Sequence, residues 1–200
     1  MRIGPLLFAV GVALGVALPT FAAAPGGTAP AFTITDTTGK PVQLADYRGK
    51  FVVLEWTNPE CPFVQKHYVS RNMQELQKEW TAKGVVWLAI NSTNASHAEF
   101  KTGAEMAQWM QAQGAAPVTT LIDGTSATGR AYGARTTPHM FVVDPAGTLL
   151  YNGAIDDKRS ANPADAKGAH NYVRAALTEA LGGKPVSVAH TTPYGCSVKY

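Results

Sequence analysis

Phe51 to Ile90 reads FVVLEWTNPECPFVQKHYVSRNMQELQKEWTAKGVVWLAI, and this stretch decides the fold. Its opening run, Phe51 to Trp56, is almost continuously β-prone, the pattern of a central strand buried on both faces. A loop of Thr57 to Glu60 follows, then Cys61 and Pro62. From Pro62 to about Ala82 the spacing of Val64, Tyr68, Met73, Leu76 and Trp80 predicts one amphipathic helix. Pro62 suits the first helical position, where a missing N–H loses nothing. Gly84 ends the helix, and Val85 to Ile90 is a second buried strand. The unit is strand–helix–strand, and the rule for such crossovers makes it parallel and right-handed.

Working outward, Phe32 to Thr35 and Val42 to Leu44 alternate apolar and polar residues around the turn chemistry of Asp36 to Lys40, which predicts a β-hairpin. Downstream, residues 97–113 read as a second amphipathic helix and Val118 to Ile122 as a third strand. Thr125 to Tyr132 reads as one or two helical turns. Met140 to Asp144 and Thr148 to Gly153 pair as a hairpin about Pro145-Ala146-Gly147. Ala154 to Lys167 is polar and loop-like, and His170 to Leu181 is a last helix ended by two glycines. The order predicts an α/β three-layer sandwich with a mixed central sheet and an N-terminal β-hairpin.

The chain begins with Met1-Arg2, an uncharged apolar run from Ile3 to Leu18, and a small-residue exit at Ala22 to Ala24. That is the layout of a secretory signal peptide, so residues 1–24 are assigned to one and residues 25–31 to a linker. The run is short for a membrane span, which takes about 20 apolar residues, so no span is expected after cleavage; an uncleaved anchor is the alternative. Export implies a periplasmic or secreted location, where disulfides persist. The composition of the whole chain, 46% hydrophobic and 16% charged, is that of an ordinary globular protein. A net charge of +3 without any basic run gives no surface for nucleic acid.

Cys61 and Cys196 are the only cysteines. Two are too few for a disulfide framework, so they form one bridge or at least one is kept for reactivity. Cys61 follows the end of a central strand, where reactive groups gather in open α/β sheets. It also precedes a helix, facing unpaired backbone N–H groups and the positive end of the helix dipole. Both stabilise a thiolate, the nucleophilic form. The bland alternative is a small buried residue at a tight turn. Glu60 beside it opposes thiolate formation. Pro138, directly before a buried strand, is either a cis proline in a tight turn or an ordinary trans proline at a strand start.

Residues 32–54, FTITDTTGKPVQLADYRGKFVVL, resemble the entry of the redoxins of the thioredoxin superfamily, the AhpC/TSA and TlpA-like branches. The resemblance continues through the Cys61 helix start, Thr137-Pro138 and the Asp144 to Gly153 hairpin. It covers roughly residues 30–155, and it implies a thioredoxin-like domain over residues 32–183 with a C-terminal tail, 184–200, that carries Cys196. It also implies that Thr137, Pro138 and His139 stand where substrates dock. Two departures bear on function. The thioredoxin pattern C-x-x-C stands here as Cys61-Pro62-Phe63-Val64, so the resolving position holds Val64. The peroxiredoxin pattern P-x-x-x-T-x-x-C fails, because Leu54 and Asn58 hold its Pro and Thr positions. The match is nearest to peroxiredoxin-like redoxins with N-P-x-C-P-F and a P-Y-G-C-S-V-K-Y ending.

The resemblance implies an exported thiol–disulfide oxidoreductase with Cys61 as nucleophile, acting on a thiol- or disulfide-bearing protein or small redox molecule without a cofactor. Cys196 is its possible resolving thiol; a static disulfide and an unrelated free thiol are the alternatives. A peroxide-reducing antioxidant is a second reading, and the failed peroxiredoxin pattern argues against it; Arg135 has the charge to support a peroxide, but its place before the Pro138 turn does not set it near Cys61. A non-catalytic or copper-binding module is the third, weakened by the lack of a C-x-x-x-C cluster. His67, more than a turn into the helix, reads as a packed or solvated histidine, which is the bland reading of His139 too, and Asp156-Asp157, after the hairpin, reads as a solvated acidic turn.

Overall fold

The computed structural model describes residues 23–200. The expected signal peptide lies outside them except for Ala23 and Ala24. Nine strands and five α-helices follow in the order β1 (Thr33–Asp36), β2 (Pro41–Gln43), β3 (Val52–Trp56), α1 (Pro62–Val69), α2 (Asn72–Thr81), β4 (Val86–Asn91), α3 (Gly103–Gln113), β5 (Thr119–Ile122), α4 (Ala127–Tyr132), β6 (Thr136–Thr137), β7 (His139–Val143), β8 (Leu149–Gly153), α5 (Tyr172–Leu181) and β9 (Cys196–Ser197).

Seven strands form one mixed sheet in the order β2-β1-β5-β4-β3-β7-β8. β3 and β4 run parallel, with Leu54 beside Leu88, as the strand–helix–strand reading requires. β7 returns antiparallel to β3 and places His139 beside Trp56. Every residue of β3, β4 and β7 is buried, which is why their sequences run apolar without alternation. The side chains still alternate between faces. Val53, Trp87, Ala89, Met140 and Val142 pack under residues of α1, α2, α3 and α5. Val52, Leu54, Trp56, Leu88, Ile90, Phe141 and Val143 face the other way, against Phe32, Val42, Leu44 and Tyr132 of α4. Each large apolar side chain so buried contributes about 1.5–3 kcal/mol.

Three expectations are corrected. The single helix from Pro62 to Ala82 is two, because Arg71 adopts a left-handed backbone (φ 67°) that breaks the hydrogen-bond ladder after Ser70. The helix expected over 97–113 begins only at Gly103. Thr102 caps it, accepting from the Glu105 N–H while the Glu105 carboxylate accepts from the Thr102 N–H. The supposed linker is paired with the hairpin: Gly26 N–H donates to Leu149 O and Ala29 N–H to Gly147 O, while Gly27 O accepts from Leu149 N–H. Among the described residues no helix is long and apolar enough to cross a membrane.

Candidate active site

Cys61 caps the N-terminus of α1, and its carbonyl accepts the N–H groups of Val64 (3.0 Å) and Gln65 (2.9 Å). Its own backbone is extended (φ −83°, ψ 118°), so the chain turns from loop to helix at this residue. The thiol donates to the carbonyl oxygen of Thr137 at 2.9 Å. Thr137 is joined to Pro138 by a cis peptide bond. The side chain of Cys61 is almost sealed, with 1% of the residue exposed.

What covers it is the C-terminal tail. β9 pairs antiparallel with β6 as a separate two-stranded ladder, with Cys196 opposite Thr137 and Ser197 opposite Thr136. Val198 N–H donates to Arg135 O at 3.1 Å. Gly195 lies flat on the Thr137 carbonyl with φ 140°, and any Cβ there would collide with that oxygen. Tyr194 and Cys196 pack into the cluster that holds Cys61. Burial, followed by a hydrogen bond with Cys61 and the charge of its sulfur as a thiolate, pushes the Cys196 thiol up to about 12. Both cysteines are free thiols.

The structure therefore brings Cys61, Thr137, Pro138 and Cys196 together. It does not bring His139 with them. His139 follows Pro138 by one residue on a strand, so its ring enters the opposite face of the sheet and stacks on Phe141, with ring centroids 4.4 Å apart. Its Nδ1 accepts from Arg135 N–H (3.2 Å), and its Nε2 meets Asn152 Oδ1 (2.7 Å). Desolvation holds it down at about 4, so it is a neutral packed residue at neutral pH. Glu60 does not face the thiol unopposed, because Lys101 Nζ lies 2.9 Å from its carboxylate.

Two groups of polar residues carry no role in the sequence reading. The first is Glu55 of β3, fully buried, which accepts from Tyr68 Oη (2.8 Å), Trp87 Nε1 (2.8 Å) and Gln77 Nε2 (3.1 Å). Burial raises its carboxyl above the usual range despite those three donors. A charged residue inside an apolar strand was the available signal. The second is a cluster beneath the tail. Asp156, expected as part of a solvated turn, is buried there with Lys66, His67 and Tyr194. The Lys66 ammonium lies 3.5 Å from Asp156 Oδ2, and Tyr194 Oη donates to Asp156 Oδ1.

Beside the Cys61 loop a surface cleft of about 330 Å³ is lined by Pro59, Glu60, Lys101, Glu105, Gln108 and Trp109. Among the described residues no group of three or more His, Cys, Asp or Glu side chains is arranged to hold a metal ion.

With this geometry in view, the likenesses to known structures fall into line. An uncharacterised conserved protein from Geobacillus kaustophilus is 30% identical, with a TM-score of 0.76 over 88% of this chain and 92% of its own. A hypothetical protein from Sinorhizobium meliloti 1021 is 25% identical, with a TM-score of 0.75 over 90% and 96%. A protein assigned as thiol:disulfide interchange protein DsbE from Chlorobium tepidum is 28% identical, with a TM-score of 0.60 over 80% of this chain and all of its own. Among curated proteins nothing matches. The fold is thus the thioredoxin-like fold of the redoxins. The AhpC/TSA family model matches residues 25–152, well over half of the chain, and the protein belongs to that family.

Proposed function

We propose that the protein is an extracytoplasmic thiol–disulfide oxidoreductase in which Cys61 attacks and Cys196 resolves. The observation that carries this reading is the shared contact at Thr137: the Cys61 thiol bonds to its carbonyl, and Cys196 is its partner across β6 and β9. Val64 fills the usual resolving position, and a distal thiol delivered by the tail replaces it, since disulfide exchange needs approach and geometry, not sequence proximity.

In the proposed sequence the Cys61 thiolate attacks one sulfur of a partner disulfide. The partner's S–S bond breaks, a Cys61–partner mixed disulfide forms, and the other partner sulfur leaves as a thiolate. Cys196 then attacks the Cys61 sulfur and releases the second partner thiolate. The partner gains two electrons and the chain is left with a Cys61–Cys196 bond. The electrostatics support that order. While the Cys61 sulfur is unmodified, its hydrogen bond, and its negative charge as a thiolate, are among the causes that keep Cys196 protonated. Both vanish once the Cys61 sulfur sits in a mixed disulfide, so Cys196 becomes a better nucleophile at the step that needs it.

The edge beside Thr137 and Pro138 is the proposed partner-docking surface, and β9 occupies it by strand pairing, one of the general modes of peptide recognition. A protein thiol or disulfide is the proposed partner, in line with the interchange protein of Chlorobium tepidum. The apolar leader supports the location. Insulin reduction driven by dithiothreitol tests the assignment: Cys61→Ser abolishes it, and Cys196→Ser accumulates a Cys61 mixed disulfide. Full activity in Cys61→Ser sinks the reading.

A further inference from the structure

We propose that Lys66, Asp156 and Tyr194 form a buried latch that seats the C-terminal segment, making them positioning residues for Cys196. The proposal rests on the reading of Cys61 and Cys196 as a thiol couple.

The latch joins three parts of the chain. Lys66 and His67 come from α1, the helix that starts one residue after Cys61. Asp156 comes from the loop after β8, and Tyr194 lies in the tail two residues before Cys196. The Lys66 ammonium is buried and donates to Lys158 O (2.6 Å) and to Tyr194 Oη (3.2 Å), with Asp156 Oδ2 at 3.5 Å. Tyr194 Oη in turn donates a hydrogen bond to Asp156 Oδ1. Asn72 Nδ2 donates to His67 Nδ1 (2.9 Å), which leaves the ring proton on Nε2, facing Tyr194 Oη at 3.5 Å. Asp156 Oδ2 has no hydrogen bond; the Lys66 ammonium lies 3.5 Å from it and His67 Nδ1 4.0 Å. The group thus holds one cation and one anion around a single tail hydroxyl.

Such a group is a weak source of net stability, because desolvating both charges offsets most of their attraction. Its better-attested use is to specify one arrangement among several. The tail needs that. β9 offers only two paired residues, and a ladder so short does little to fix its own register. Beyond Cys196 the segment is tied by Asn94 N–H to Lys199 O (2.7 Å) and by Tyr200 against Arg130. Before Cys196 it is tied by Tyr194, whose ring also meets Phe63 edge-on at 5.9 Å. Cys196 is held between these two ties, and of the two only the Tyr194 tie reaches α1, the helix that starts after Cys61.

The test compares the full mature protein with Tyr194→Phe, which removes the hydroxyl and keeps the ring. Each is equilibrated with mixtures of oxidised and reduced glutathione. One oxidised glutathione is reduced to two thiols for every Cys61–Cys196 bond formed. Tyr194→Phe lowers the equilibrium constant about tenfold, which raises the potential by about 30 mV. In the reduced variant, iodoacetamide also labels Cys61 several times faster, because the cover is loosened. Val143→Ala, in the opposite layer, is the control for general destabilisation and leaves the potential unmoved. Should Tyr194→Phe not fold, Asp156→Asn is read in the same way. An unchanged constant in the latch variant, or an equal shift in Val143→Ala, overturns the latch alone. A wild-type protein that never forms the Cys61–Cys196 bond overturns the latch and the couple together.

Discussion

Cys61 Sγ lies 2.9 Å from the carbonyl oxygen of Thr137, the residue whose strand partner is Cys196. Thr137 therefore stands next to both cysteines, hydrogen-bonded to the thiol of one and opposite the other across the β6–β9 ladder. Residues 61, 137 and 196 are far apart in sequence and meet only because β3, β6 and the tail converge at one end of the sheet. Four consequences can be measured.

Gly195 is the first point of leverage. Its left-handed φ of 140° and its contact with the Thr137 carbonyl leave no room for a side chain. Gly195→Ala should cost about 1–3 kcal/mol of local strain and lift β9 from β6. The expected result is a lower unfolding midpoint together with faster iodoacetamide labelling of Cys61. Unchanged labelling would show that β9 does not cover the thiol.

Cys196, pushed up to about 12 by burial and by the Cys61 thiol, should be sluggish in the reduced protein. At pH 8 its alkylation, followed by mass spectrometry, should run more than about tenfold slower than that of an ordinary cysteine, whose thiol titrates near 8.5. Cys61→Ser should speed it, since two of the raising causes belong to Cys61. A rate that is ordinary in the wild type would contradict the arrangement.

The buried pair of Lys66 and Asp156 makes a non-additive prediction. Lys66→Met alone leaves the Asp156 carboxylate buried without its counter-ion and should cost about 3–5 kcal/mol. Lys66→Met combined with Asp156→Leu should recover a large part of that loss. Urea unfolding of both singles and the double gives the coupling, and simple addition of the single losses would count against a paired charge.

His139 ties stability to pH. Burial holds it at about 4 in the fold, against an ordinary 6.5. Between those values the unfolded chain binds a proton that the folded chain refuses, so stability falls as pH drops through that window. The loss reaches up to about 3 kcal/mol for this residue. His67, held down at about 3 first by burial and then by the Lys66 charge, adds a loss of the same sign. Urea unfolding at pH 7 and pH 4.5 should show a shallower fall in His139→Gln than in the wild type. Equal falls would place the acid sensitivity elsewhere.

The strands of the sheet were legible because burial on both faces writes itself as an apolar run, as in β3, β4 and β7. The break between α1 and α2 was not, although the apolar spacing steps by five from Tyr68 to Met73, one residue longer than a helix face allows. His139, named with the docking residues but also read as a packed histidine, lies away from the thiols for a reason of parity. A residue one step after Pro138 alternates to the face opposite Met140, and the thiols lie on the Met140 side. Asp156 and Lys66 could not be paired from sequence at all, since nothing local marks a charge whose partner arrives from another element. That Cys196 lies opposite Thr137 was not legible either, because β9 reaches β6 from about 60 residues further along the chain.

The central claim is most directly tested by peptide mapping of the purified protein after oxidation with glutathione, under non-reducing conditions. The account predicts a single linked species joining the Cys61 and Cys196 peptides, two hydrogen masses lighter than the free pair and lost on reduction. Two free thiols, or linkage only between separate chains, would contradict it.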